Sequence, residues 1–127
     1  MQEVEFILYV KEQAKSKCFY EKLLQIAPVL DVPGMTEFKL SASVKLGIMP
    51  ESSITKIIGD KLPHPGRGNG IPRCELYLKV PEANEYINRG INLGATLISP
   101  LQNRDWGDKV GYMADLDGHI IAFAEKK

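Results

Sequence analysis

Two glutamates, Glu5 and Glu75, are the residues of this chain best suited to chemistry. They lie 70 positions apart in short β-rich stretches, Glu3–Val10 and Arg73–Val80. A carboxylate in an apolar cleft can pair with a cationic ligand, and nearby aromatic rings suit planar or cationic groups. Two carboxylates brought together would do something else. One would keep its proton nearer to neutrality, giving an acid/base pair for enolisation or isomerisation. The plain alternative is two edge-of-sheet glutamates in water or paired with Lys39 or Lys79. Tyr9, Tyr77, Tyr112, Arg104 and the single tryptophan, Trp106, complete the candidates for ligand binding. Arg104 would clamp an anionic group and Trp106 would wall a cleft. In the structural alternative Trp106 plugs the end of a barrel and Arg104 pairs with Asp105 or Asp108.

The elements that must position these residues follow from periodicity. In Glu3–Val10, Phe6, Leu8 and Val10 alternate with Glu5, Ile7 and Tyr9, as a strand with two unlike faces requires. Ala14, Cys18, Phe19, Leu23 and Leu24 then recur at helical spacing over Gln13–Leu24. Short β-like pieces follow at Ala27–Leu30, Thr36–Leu40 and Val44–Met49, with a turn at Val32-Pro33-Gly34. Ser52–Ile58 reads as a short helix capped by Ser52 or Ser53. Residues 59–72, rich in glycine and proline, read as a linker without regular structure. A phosphate cradle at Gly66–Gly70 would need a strand before it and a helix after it, and neither is indicated. Arg73–Val80 is a strand with Cys74, Leu76, Leu78 and Val80 on one face and Glu75, Tyr77 and Lys79 on the other. Pro81 suits the first turn of a helix over Glu82–Leu93, with Gly94 as its C-terminal cap. Ala95–Pro100 is a strand. Asp115-Leu116-Asp117-Gly118 is the turn of a hairpin between Val110–Ala114 and His119–Ala124.

The order strand, helix, three short strands therefore occurs twice. An offset of 70 aligns Glu5 with Glu75, Leu8 with Leu78, Val10 with Val80, Glu12 with Glu82 and Leu23 with Leu93. The closing strands align at an offset of 75, which pairs Leu46 with Ile121 and Gly47 with Ala122. The expected fold is α+β: a first βαβββ module at 1–58, a linker at 59–72 and a second module at 73–127. The modules would pair into a cup-shaped, partly open barrel with helices outside. Glu5, Ile7, Tyr9, Glu75, Tyr77 and Lys79 would line its cleft.

Composition narrows the function. The 127 residues carry 16 basic and 16 acidic side chains, so no electrostatic footprint for nucleic acid exists. No apolar run is long enough to span a membrane, and the N-terminus lacks the pattern of a signal peptide. Cys18 and Cys74 form no CxxC pair and read as reduced thiols of a cytoplasmic protein. His64 falls in the linker and His119 at the hairpin turn.

Three motifs in order resemble the vicinal oxygen chelate superfamily, which includes glyoxalase I, bleomycin- and fosfomycin-resistance proteins and extradiol dioxygenases. Cys18-Phe19-Tyr20-Glu21-Lys22-Leu23-Leu24 is similar to the family's FYxxxLG helix. Gly90–Gly94 leads into a strand as the family's does. Trp106-Gly107 precedes Tyr112–His119, similar to the family's DPDGN hairpin, with Leu116 for the usual Pro and His119 for the usual Asn. The resemblance implies paired βαβββ modules, a homodimer, and, in metal-using members, ligands on the first and last strands of each module. Those slots map to Glu5, Gly47, Glu75 and Ala122. Two of the four have no donor side chain, and two carboxylates make a poor site for Zn²⁺, Fe²⁺ or Ni²⁺. The expectation is a small-molecule binding protein of the bleomycin-resistance type, without cofactor, for a cationic or aromatic ligand. The alternative is a glyoxalase-like lyase or isomerase using a divalent ion or the Glu5 and Glu75 carboxylates.

Overall fold

A computed structural model describes residues 1–126. It divides into two compact units, Met1–Asn69 and a second from Gly70 onward, so the boundary falls inside the glycine- and proline-rich stretch.

In the first unit the order is β1 (Val4–Val10), α1 (Gln13–Leu24), β2 (Leu30–Val32), β3 (Met35–Ser41), β4 (Val44–Pro50) and α2 (Glu51–Ile58). The four strands form one sheet in the order β1-β4-β3-β2, with β1 parallel to β4 and the other pairs antiparallel. Alternation decides the faces. Leu8, Val10, Phe38, Leu46 and Ile48 are buried with Phe19, Tyr20 and Leu23 of α1, which lies over β3 and β4. Phe6 shares that face by register with Leu46 yet is 56% exposed. It lies on an edge strand outside the cover of α1, so the expected full stripe on β1 holds only at Leu8 and Val10.

The β2–β3 hairpin is fastened to α1 by the side chains of Gln13 and Lys17. Gln13 Nε2 donates to the Val32 carbonyl (2.8 Å) and to Thr36 Oγ1 (2.9 Å), while its Oε1 accepts from the Gly34 N–H (2.9 Å). Thr36, fully buried, passes its proton bond on to Asp31, which pairs with Lys17 at 2.7 Å. The strand expected at Ala27–Leu30 accordingly sits later, at Leu30–Val32, where the Pro33-Gly34 turn sets it against Met35. α2 begins at Glu51 with Pro50 before it and no side-chain cap, so Ser52 and Ser53 fall inside the first turn. The linker is not wholly irregular: Pro65–Gly68 forms a short 3-10 helix, because His64 Nδ1 accepts the Gly66 N–H at 2.9 Å.

The second unit repeats the plan with β5 (Glu75–Lys79), α3 (Ala83–Asn92), β6 (Thr96–Asn103), β7 (Asp108–Ala114) and β8 (Ile120–Lys126). Its sheet order is β5-β8-β7-β6, again with the first strand parallel to the last. Neither sheet closes on itself. Leu76, Met113, Ile121 and Phe123 pack beneath α3 with Ala83 and Ile87, and Tyr86 stacks on Phe123 at 5.0 Å. Gly111 permits that packing: a Cβ there would strike Ile87 Cδ1 and lie 3.2 Å from the Leu101 backbone nitrogen.

Two boundaries differ from expectation for identifiable reasons. Pro81 precedes α3 rather than opening it. The first helical N–H, of Ala83, is satisfied by Glu125 Oε2 at 3.0 Å, a cap supplied by β8. Strand β6 runs past Pro100 because it is an edge strand with register shifts on either side of Ser99, and such irregular edges tolerate proline. The hairpin turn is as expected, with Asp115 Oδ1 accepting from the N–H groups of Asp117 and His119, each at 2.9 Å.

The repeat is visible in the registers. Ile7 faces Gly47 across β1 and β4, and Tyr77 faces Ala122 across β5 and β8. Offsets of 70 and 75 carry the first pair onto the second.

Candidate functional site

In each unit the residues with chemical potential lie on the sheet face opposite the main helix. On the first sheet this face carries Glu5, Ile7 and Tyr9 from β1, Lys45, Gly47 and Met49 from β4, and Met35 and Glu37 from β3. Tyr9 is 37% exposed. Gly47 decides the local geometry. A Cβ at this position would lie 2.5 Å from Glu5 Oε2 and 3.0 Å from Ile7 Cγ1, so the Glu5 carboxyl folds over bare backbone. There it meets Glu37, the register partner of Gly47 on β3. Glu5 Oε2 is buried and takes no hydrogen bond from a donor. Burial first, then the neighbouring Glu37 carboxyl and its charge, hold the Glu5 carboxyl above its ordinary value; Lys45 offsets this in part. Lys45 Nζ reaches Glu3 at 3.3 Å and Glu37 at 3.6 Å.

The carboxyl partner of Glu5 is therefore Glu37. Sequence reasoning left Glu37 unused, although its alternation with Thr36 and Phe38 marks it as facing away from α1. Glu75 is exposed at the start of β5.

On the second sheet the face opposite α3 has an apolar floor of Val110, Ala122 and Ala124, with Tyr112 packed against it. Tyr77, in register with Ala122, stands on that floor. Its hydroxyl donates to Asp108 Oδ2 at 2.6 Å and accepts the Trp106 indole N–H at 2.8 Å. Burial and then the bond to Asp108 raise the Tyr77 hydroxyl above its ordinary range, while the Trp106 bond opposes them. Lys79 Nζ lies 3.7 Å from the same Asp108 oxygen. Beside this group an open depression of about 670 Å³ is lined by Lys79, Val80, Pro81, Asp108, Ala124 and Glu125.

Trp106 is 59% exposed, so it plugs nothing within its own sheet. Arg104 pairs with neither Asp105 nor Asp108 through its side chain in any bond found among the described residues. Its guanidinium donates to the Val110 carbonyl (3.1 and 2.9 Å), Ser99 Oγ (2.9 Å) and the Pro100 carbonyl (3.1 Å), and lies 5.1 Å over the Tyr112 ring. These bonds knit the irregular β6 to β7. Asp108, which the sequence offered only as a partner for Arg104, is instead the anchor of Tyr77.

The implied metal positions can be tested against these residues. In the first unit the pair is Glu5 and Gly47, and in the second Glu75 and Ala122. Each pair supplies one carboxylate and one position without a donor, and the Glu5 carboxyl is already turned onto Gly47 and Glu37. No group of three or more His, Cys, Asp or Glu side chains able to hold a metal ion occurs among the described residues. This donor set does not fit a transition-metal centre.

Comparison with known proteins agrees with the fold. A family model for the glyoxalase-like domain matches residues 4–126. An uncharacterised protein of Mycobacterium bovis is 28% identical over 115 residues, covering 88% of this chain and 75% of its own length. Among solved structures, a glyoxalase-related enzyme from Fulvimarina pelagi superposes with a TM-score of 0.82 at 22% identity, covering 99% of this chain and 88% of that one. A glyoxalase/bleomycin resistance protein from Albidiferax ferrireducens gives 0.74 at 23% identity, covering 99% and 100%. With its repeated βαβββ units and a match over nearly its whole length, the chain belongs to the glyoxalase-like family, within the vicinal oxygen chelate superfamily.

Proposed function

We propose that this is a small-molecule binding protein of the glyoxalase/bleomycin-resistance type that works without the metal site of its catalytic relatives. The observation that carries the reading is Trp106: an indole 59% exposed, yet hydrogen-bonded in place to Tyr77, which stands in register with Ala122 of the apolar floor. Fixed, exposed aromatic surface is what a planar or cationic ligand uses. The donor-free positions Gly47 and Ala122 support the metal-free half of the reading. Protein purified without chelator and dialysed should carry Ni, Zn and Fe far below one equivalent by elemental analysis. A stoichiometric metal that survives dialysis overturns the metal-free half.

One observation favours a second reading, a glyoxalase-like isomerase or lyase using carboxylates. Glu5 is held above its ordinary value by burial and by Glu37, as a general acid/base requires. On that reading the protein exchanges the α-protons of a simple hydroxyketone such as dihydroxyacetone in D₂O, and Glu5→Gln abolishes the exchange. Exchange by wild type no faster than buffer removes this alternative.

A further inference from the structure

Trp106 is held by a chain of bonds rather than by burial. Its loop, between β6 and β7, is anchored at the Arg104 end by the Arg104 guanidinium and by two backbone bonds, Arg104 N–H to the Asp108 carbonyl (2.9 Å) and Gly107 N–H to the Arg104 carbonyl (3.2 Å). The indole itself gives its one donor to Tyr77 Oη, and Tyr77 gives its own proton to Asp108 Oδ2. A phenol hydroxyl rotates freely and can donate or accept in either direction. Asp108 removes that freedom. An ionised carboxylate only accepts, so it fixes the Tyr77 proton toward itself and leaves the phenol lone pair facing the indole. The Asp108 bond is short, as charge-assisted bonds are. Asp108 begins β7, paired at the sheet end, and Tyr77 sits mid-strand on β5, so both anchors belong to the rigid sheet.

We propose that Tyr77 and Asp108 are positioning residues that hold Trp106 as a preassembled wall for a flat aromatic ligand group, with Asp108 acting through Tyr77 and not by charge on the ligand. This rests on the reading of Trp106 as a ligand wall. Without the chain the exposed indole would sample several rotamers, and a ligand would have to order it on binding. Lys79 Nζ lies 3.7 Å from the Asp108 oxygen that Tyr77 bonds.

Trp106 is the only tryptophan, so its fluorescence reports this one side chain. The experiment compares wild type with Tyr77→Phe, Asp108→Ala, Asp108→Asn and Trp106→Ala. Acrylamide quenching and emission maximum read the indole. Chemical-shift titration of quinoline, a flat aromatic uncharged at neutral pH, reads binding independently of it. Tyr77→Phe and Asp108→Ala should raise quenching, shift emission to the red and weaken quinoline about 3- to 10-fold, the worth of one hydrogen bond. Asp108→Asn keeps a carbonyl acceptor for Tyr77 but adds amide donors and loses the charge assistance, so quenching and quinoline affinity should move together to values between wild type and Asp108→Ala. Unchanged quenching in Tyr77→Phe and Asp108→Ala overturns the positioning chain itself. Raised quenching with unchanged quinoline affinity overturns its role in binding. Quinoline affinity unchanged in Trp106→Ala instead overturns the underlying reading of Trp106 as a wall, whatever the quenching shows. An Asp108→Asn variant that binds quinoline as weakly as Asp108→Ala while its quenching stays at the wild-type level overturns the claim that Asp108 acts through Tyr77 rather than by charge.

Discussion

The carboxyl of Glu5 resists ionisation in the fold because it is buried and because Glu37 lies beside it. Its folded value stands above the 4.5 of an ordinary glutamate, so its charged form is the disfavoured one. Such a group aids folding below its unfolded value and loses that contribution as pH rises through the folded value. Glu5→Gln removes the titration. The stability of Glu5→Gln minus that of wild type should therefore increase as pH climbs from about 4.5 through the folded value, then level off. Urea unfolding across that range measures it, and a difference independent of pH would show that Glu5 feels no such cost. Gly47 makes the arrangement possible. Gly47→Ala displaces the flexible Glu5 carboxyl end and crowds Ile7, and should destabilise by about 0.5–1 kcal/mol. The cost should shrink in the background of Glu5→Ala, where part of the crowding is gone, and a denaturant double-mutant cycle reads that coupling.

At the scale of elements, polar side chains fix what hydrophobic alternation leaves loose. Gln13 spends three hydrogen bonds on joining α1 to the β2–β3 hairpin, one of them to the buried Thr36. Gln13→Ala should cost about 1–3 kcal/mol in chemical unfolding and speed amide exchange at Gly34, whose N–H loses its acceptor. Exchange at Gly34 as slow as in wild type would mean the hairpin holds without Gln13, through Lys17 and Asp31. Arg104 plays the same part for β6 and β7, which explains why a residue suited to clamping anions is used up within the sheet.

For the whole molecule the repeat makes a quantitative demand. Leu46 and Ile121 are equivalent at an offset of 75, both fully buried beneath a helix. Leu46→Ala and Ile121→Ala should each cost about 2–5 kcal/mol, measured by denaturant unfolding, because each leaves a cavity under α1 or α3 respectively. A loss below 1 kcal/mol in either, about the worth of one methylene, would mean that unit lacks the tight core its register implies.

The sequence by itself determined the repeated strand–helix–strand order, which side of each first strand turns to its helix (though Phe6 and Cys74 of the expected stripes are exposed), the hairpin turn at Asp115–Gly118 and the family. These depend on period and turn chemistry, which are local. It also determined that Gly47 and Ala122 bring no donor to the implied metal positions. Only the tertiary structure decided the partnerships on the open faces. Glu5 meets Glu37 because the β3–β4 register sets Glu37 opposite Gly47, and Tyr77 meets Asp108 and Trp106 because β8 lies between β5 and β7. Alternation assigns a residue to a face, but which side chains touch on that face depends on strand order and register across dozens of intervening residues. In a sheet those are set by pairing, and pairing is a property of the whole unit.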